Sequence, residues 1–299
     1  MTVLTELLNR HWPQWHDWVA ITRLDKPVGS YLLLWPTLWA LWIAGDGRPD
    51  WSLVIIFTLG VFLMRSAGCV INDYADRKVD GHVKRTCNRP LATGRLTEKQ
   101  ALSGFALLVG VSFLLVLLTN AYTVWLSFGG LALASVYPFM KRHTHLPQVF
   151  LGAAFSWAIP MAFAAQSNEV PVVAWLLYAA NLAWTVAYDT MYAMVDRDDD
   201  VKIGVKSTAI LFGDLDLAMI GLLQGITLFC LLSAGGQLSL GWPFYLALLA
   251  GAAFLGWQLW AIRSRRRTEC FAAFRLSHWF GLIVWAGIVA HFWLTPVAD

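Results

Sequence analysis

The chain has 299 residues, is 58% hydrophobic, carries only 14% charged residues and has a mean hydropathy of +0.56. A soluble domain normally carries about 25% charged residues, so a water-soluble globular protein is excluded and an all-α polytopic membrane protein is expected. The net charge of +3 matters less than where the charges sit, and no nucleic-acid partner is expected.

The first residues carry Trp12, Trp15 and Trp18 interleaved with His and acids. They lack the apolar core and small-residue cleavage site of a signal peptide, so residues 1–22 read as an amphipathic segment on the membrane surface. A span needs about 20 mostly apolar residues. Nine segments meet this: 27–45, 51–72, 101–118, 121–138, 147–166, 171–195, 214–234, 242–262 and 278–295. Many of the 17 Trp and 17 Phe lie near the ends of these segments, as expected for interfacial belts. About nine helices around a central cavity, in one membrane-embedded domain over 1–299, is the expected architecture. Cys69, Cys87, Cys230 and Cys270 show no metal or disulfide spacing.

Long connections follow the second, fourth, sixth and eighth spans. They hold nearly all the Lys and Arg outside the N-terminal segment, among them Lys84, Arg85, Arg89, Arg95 and Lys99; Lys141 and Arg142; Lys202 and Lys206; Arg263, Arg265, Arg266 and Arg267. The opposite connections carry almost none, Arg48 being the exception. Positive loops stay cytoplasmic, which puts the N-terminus inside and the C-terminus outside.

At the cytoplasmic end of the second span the sequence reads VINDYADRKVDGHVKRT, residues 70–86. If the helix continues past the membrane, Asn72, Asp76 and Asp80 share one face and Asp73 points away from it. The sixth span ends in YDTMYAMVDRDDDVKIGVKST, residues 188–208. Asp189, Tyr192, Asp196 and Asp200 share a face there, and Asp198 and Asp199 fall off it. The shared pattern Asp76-Arg77-x-x-Asp80 and Asp196-Arg197-x-x-Asp200 hints at duplication of a four-helix unit.

Clustered Asp at a helix C-terminus repel one another and oppose the helix dipole, so something positive must offset them. Carboxylates with Asn or Tyr beside them and no Cys or His suit a hard ion such as Mg²⁺. Such an ion usually also holds a phosphate-bearing substrate, and Lys84, Arg85, Arg89, Arg95, Lys141, Arg142 and Lys206 suit that role. No glycine-rich nucleotide loop is present, and apolar helices around the site suggest that the rest of the substrate is a lipid. Arg65 lies seven residues before Asn72, about two turns deeper on the same face. An intramembrane Arg faces a cavity or a partner; a carboxylate-bearing second substrate, a helix carbonyl or an interior Asp would each satisfy it. Arg23, Asp25 and Lys26 precede Pro27 on the cytoplasmic side.

Asn72-x-x-x-Asp76-x-x-x-Asp80 and Asp196-x-x-x-Asp200 resemble the two aspartate-rich motifs of the UbiA superfamily of membrane prenyltransferases. RLDKPVGSYLLLWPTLWAL (23–41), RPLATGRLT (89–97), YPFMKRHTHLPQVFLG (137–152) and YDTMYAMVDRDDDVKIGVKSTAILFG (188–213) resemble the bacterial 4-hydroxybenzoate polyprenyltransferases. The resemblance implies transfer of a polyprenyl group from its diphosphate to 4-hydroxybenzoate, an early step of ubiquinone synthesis at the bacterial inner membrane. Asn72, Asp76, Asp80, Asp196 and Asp200 would then hold Mg²⁺ against the diphosphate, and Asp189 could polarise the phenol. Arg23, Lys26, Arg65, Lys84, Arg85, Arg89, Arg142, Tyr192 and Lys206 become candidates for substrate contact. Rival readings keep the superfamily with another acceptor (dihydroxynaphthoate, homogentisate or haem), or make the chain a transporter. A transporter would place its acids near mid-membrane on broken helices, whereas these cluster at one surface.

Overall fold

The computed structural model describes residue 6 and residues 9–82 and 85–294, with no strand among them. In chain order the helices are α1 (Trp15–Thr22), α2 (Val28–Ala44), α3 (Trp51–Asp76), α4 (Glu98–Val116), α5 (Ala121–Met140), α6 (Pro147–Ser156) and α7 (Ala158–Ser167). Then come α8 (Val172–Ile203), α9 (Thr208–Phe212), α10 (Asp216–Gln237), α11 (Trp242–Ala261), α12 (Arg267–Leu276) and α13 (His278–Leu294).

Among the described residues, seven segments are long and apolar enough to cross a membrane: Trp51–Asp76, Glu98–Val116, Ala121–Met140, Pro147–Ser167, Thr208–Gln237, Trp242–Ala261 and Arg267–Leu294. The two other expected spans are also helical. α2 is apolar but has only 17 residues. α8 runs for 32 residues and carries Asn181, Asp189 and a charged end.

Local sequence explains the boundaries. Asn120 caps α5 by accepting from the Thr123 N–H at 2.9 Å, and Thr97 and Gln100 form a reciprocal capping box on α4. The expected span over 147–166 is broken between Ser156 and Ala158. Pro160 cannot donate to the Ser156 carbonyl and its ring crowds that turn. Residues 267–276, which the sequence places in a connection, form the amphipathic α12.

α2 packs on α3, α7 and α13, and α8 packs on α6, α10 and α12. The main core is mostly aliphatic with aromatic side chains set into it: Trp39 donates to the Gly281 carbonyl at 2.8 Å, and Trp184 stands edge-on to Tyr188 with ring centroids 5.2 Å apart. α1 docks by Ile21, fully buried with Val70, Leu96 and Ala101. Within the expected surface segment over 1–22, this part is thus seated on α3 and α4; residues 1–5, 7 and 8 lie outside the described residues.

A cavity of about 650 Å³ opens between α3, α4, α5 and the α6–α7 pair. Leu33 of α2 also lines it, and no residue of α8 or α10–α13 does. The expected central cavity is therefore set to one side of the bundle. Its walls are Ile56, Phe57, Val109, Phe113, Leu131 and Met161 among other apolar groups, with Arg65, Gly68 and Tyr137 at the polar end.

Candidate active site at the ends of α3 and α8

α3 stops at Asp76, and Asp80 lies in a short 3-10 turn, Asp80–His82. The expectation of one continuous helix face through Asn72, Asp76 and Asp80 is corrected here. Asp80 still turns inward and is 4% exposed, because Arg89 binds it at 2.9 Å while also binding Asp73 at 2.9 Å. Asp73 points away from the Asp76 face into a fully buried pocket, where Arg23 donates to both its oxygens at 2.8 and 2.9 Å. The Thr86 hydroxyl donates to the Asp80 carbonyl at 2.9 Å and closes the turn. Asp73 therefore anchors the 77–97 connection to the end of α1.

α8 remains helical to Ile203 and ends where Gly204 takes a positive φ of 72°. Asp189, Tyr192, Asp196 and Asp200 thus share one helix face as the spacing expects. Arg85 reaches across from the other motif and donates through Nε to Asp196 at 3.1 and 3.2 Å, with its guanidinium 4.7 Å over the Tyr192 ring. Lys141, at the end of α5, binds Asp76, and its charge also reaches Asp189 and Asp200. These cations join the two aspartate motifs into one site.

The site is crowded with negative charge. Burial pushes the Asp200 carboxyl up to about 7, with the Asp196 charge adding to the rise. Burial also raises Asp80, against the pull of Arg89. Asn72 donates to Asp76 Oδ2 at 3.3 Å, while Asp76 Oδ1 is buried with no hydrogen-bond partner.

Among the described residues no three acid, His or Cys groups converge as a metal shell. Lys141, Arg89 and Arg85 lie on Asp76, Asp80 and Asp196 instead. The donor set is nonetheless all oxygen, and the orphaned Asp76 Oδ1 is the kind of atom a cation would satisfy. The residues fit a hard divalent ion once the basic side chains turn to another anion.

Arg65 is the second focus. Its Nε is buried without a hydrogen-bond partner, and its guanidinium lies 5.7 Å from the Phe155 ring centroid. Neither the helix carbonyl nor the interior Asp that the sequence allows is hydrogen-bonded to it among the described residues. Asp189 is half-buried and within electrostatic range of Arg65. A β-carbon on Gly29 would overlap the Arg65 guanidinium, so the bare backbone of α2 makes its seat.

Other expected contact residues are placed differently. Arg23 is committed to Asp73, and the Lys26 side chain is 75% exposed beside Asp25. Arg142 donates to the Ala75 carbonyl, and Lys206 Nζ donates to the His143 carbonyl at 3.3 Å. Lys84 lies outside the described residues. The sequence reading missed Gly29, Tyr137 and the anchor role of Asp73. Gly29 had a signal, since it closes the DKPVG run as the second residue of α2; Tyr137 and Asp73 depend on partners far along the chain.

The model of the UbiA prenyltransferase family matches residues 33–294. The 4-hydroxybenzoate octaprenyltransferase of Pseudomonas syringae pv. syringae (strain B728a) is 63% identical over 97% of this chain and 98% of that protein. That of Pseudomonas fluorescens (strain SBW25) is 61% identical, again over 97% and 98%. The solved UbiA homolog from Aeropyrum pernix K1 superposes with a TM-score of 0.77 at 24% identity, over 86% of this chain and 97% of that one. A UbiA homolog from Archaeoglobus fulgidus bound to GPP and Mg²⁺ gives 0.65 at 17% identity, over 90% and 99%.

Proposed function

The chain belongs to the UbiA prenyltransferase family, and on that premise we propose that it moves a polyprenyl group from polyprenyl diphosphate to 4-hydroxybenzoate. The products are 3-polyprenyl-4-hydroxybenzoate and diphosphate, in ubiquinone biosynthesis. The observation that carries the acceptor assignment is Arg65: a half-buried guanidinium at the polar end of an apolar cavity, whose buried Nε has no hydrogen-bond partner among the described residues. Unpaired charge in such a place is costly, and an aromatic carboxylate would relieve it. Arg65 sits about 10 Å along α3 from Asn72, which leaves room for one ring between the carboxylate and the diphosphate.

Asn72, Asp76, Asp80, Asp196 and Asp200 would hold Mg²⁺. The ion would neutralise charge on the departing diphosphate. Arg85, Arg89 and Lys141, relieved of their carboxylates, would donate to phosphate oxygens. The bond between the allylic carbon and the diphosphate oxygen breaks, a bond forms from that carbon to the ring position beside the phenol, and the hydrogen on that ring carbon leaves as a proton to restore the aromatic ring. Asp189 would hold the phenol proton and orient the ring. The apolar walls exclude water from the allylic cation, and the cavity takes the start of the polyprenyl tail.

An acceptor panel tests this reading. With octaprenyl diphosphate and Mg²⁺, 4-hydroxybenzoate should be used at least about tenfold better than dihydroxynaphthoate or homogentisate, because each differs in how its carboxylate would reach Arg65. Equal or better use of either rival would replace the acceptor. Gly29→Ala should raise the acceptor KM several-fold and leave that for the prenyl diphosphate unchanged, since the added methyl displaces only a flexible side-chain end. Equal KM values in mutant and wild type would remove Gly29 from the acceptor site.

The charge asymmetry supports a nine-span topology in the bacterial inner membrane, with the acid motifs facing the cytoplasm. Alkaline phosphatase fused after residue 299 should be active, and fused within 263–266 inactive. The reverse pattern would place both motifs outside.

A further inference from the structure

Each aspartate motif contains an arginine directly after an acid of the site: Arg77 after Asp76 and Arg197 after Asp196. Neither is in an ion pair with an acid of its own motif. Arg77 Nε lies 2.9 Å from Glu98, in the first turn of α4, and its guanidinium lies 4.1 Å from the Tyr74 ring centroid. Arg197 binds Asp216, the first residue of α10. In both halves, then, the arginine leaves the site and grips an acid opening the next long helix. Those acids also suit the positive end of a helix dipole.

The second grip is the stronger one. Asp216 is fully buried, and Arg265 also donates to it through Nε at 3.0 and 3.1 Å. Arg265 holds a positive φ of 55° to do so and donates through Nη2 to the Asp214 carbonyl at 3.0 Å. Beside it Arg267 binds Asp198 at 2.9 Å and Asp199 at 3.2 Å. The last turns of α8 carry four acids, at 196 and 198–200, at a helix end where the dipole disfavours them. Left alone, such an end frays. Cations on its back neutralise Arg197's neighbours and leave Asp196 and Asp200 turned to the cleft.

We propose that Arg197, Asp216 and Arg265 form a positioning brace that fixes the acidic end of α8, with Arg77–Glu98 its weaker counterpart on α3. None of them touches the reacting atoms. The proposal rests on the functional reading above only for its kinetic arm. Its other arm is hydrogen exchange at backbone amides 196–203 in purified protein, which needs no turnover.

Arg197→Met and Arg265→Met should each speed exchange at 196–203 by about tenfold, and Arg197→Lys should restore part of the protection. The Mg²⁺ concentration for half-maximal turnover should rise by a similar factor of about ten, with turnover at saturating Mg²⁺ within about threefold of wild type. Arg77→Met should do the same at 73–80 to a smaller extent, because Glu98 is 56% exposed. Should Arg197→Met not fold, Arg265→Met carries the test, since it keeps the Arg197–Asp216 pair. Unchanged exchange with an unchanged Mg²⁺ requirement overturns the brace. So does lost turnover that saturating Mg²⁺ does not recover while exchange stays as in wild type. A wild type with no prenyl transfer would overturn the functional reading and leave the exchange arm to decide the brace.

Discussion

Asp76→Asn and Asp196→Asn are each expected to cut turnover by about 10²–10³-fold, the usual cost of removing one group that stabilises transition-state charge. Asn keeps the volume and one acceptor oxygen, so the helix ends should stay folded. What is lost is the charge. Asp76 has one oxygen with Lys141 and Asn72 and the other buried without a partner. Asn there would leave Lys141 without its counter-charge and give a metal a far weaker ligand. At 196 the same change would free Arg85, which now donates to both carboxylate oxygens. Glu269→Gln, on the exposed Arg266 pair, serves as the control and should stay near wild type. Chelation of divalent metal by EDTA should reproduce the Asn phenotype in wild-type protein and be reversed by Mg²⁺. Turnover of Asp76→Asn and Asp196→Asn within about tenfold of the control would remove these carboxylates from the chemistry.

The second large effect concerns Arg65. Arg65→Leu should raise the acceptor KM by about ten- to a hundredfold, the worth of a charge-assisted hydrogen bond of roughly 1.5–3 kcal/mol. The KM for prenyl diphosphate should hardly change, because that substrate's charge is met at the far acids and cations. Arg65→Lys should recover only part of the loss, since an ammonium cannot pair bidentately with a carboxylate. The seat on Gly29 sharpens the expectation. A shorter, thicker ammonium has no reason to lie along that bare backbone, so the carboxylate would be met from a different angle. An unchanged acceptor KM in folded Arg65→Leu would end this role. The remaining candidates are already engaged elsewhere: Arg23 on Asp73, and Arg142 on the Ala75 carbonyl.

The helices were legible because membrane burial writes them as apolar runs. The acids at the ends of α3 and α8 were legible for a related reason: charge is rare in such a chain and four-residue spacing puts it on one face. Four features were not. The end of α3 at Asp76 depends on Asp80 being pulled aside by Arg89, a contact that no local periodicity encodes. Asp73 reads as an off-face residue, and only its pairing with Arg23, 50 residues away, makes it an anchor. The span over 147–166 reads as continuous because its composition is uniformly apolar, while Pro160 acts on the hydrogen bond one turn earlier and splits it. The cavity's displacement toward α3–α7 follows from how α8 packs on α6, α10 and α12, which no single segment specifies.

The most direct measurement follows ring-labelled 4-hydroxybenzoate with octaprenyl diphosphate in purified, detergent-stable protein, with Mg²⁺ and with EDTA. The account predicts a lipid-extractable product whose prenyl group is bonded to the ring carbon beside the phenol. One diphosphate should be released per product, and neither should form in EDTA. Label that stays water-soluble in the presence of Mg²⁺, a bond to the phenol or carboxylate oxygen, or equal yield in chelator would contradict it.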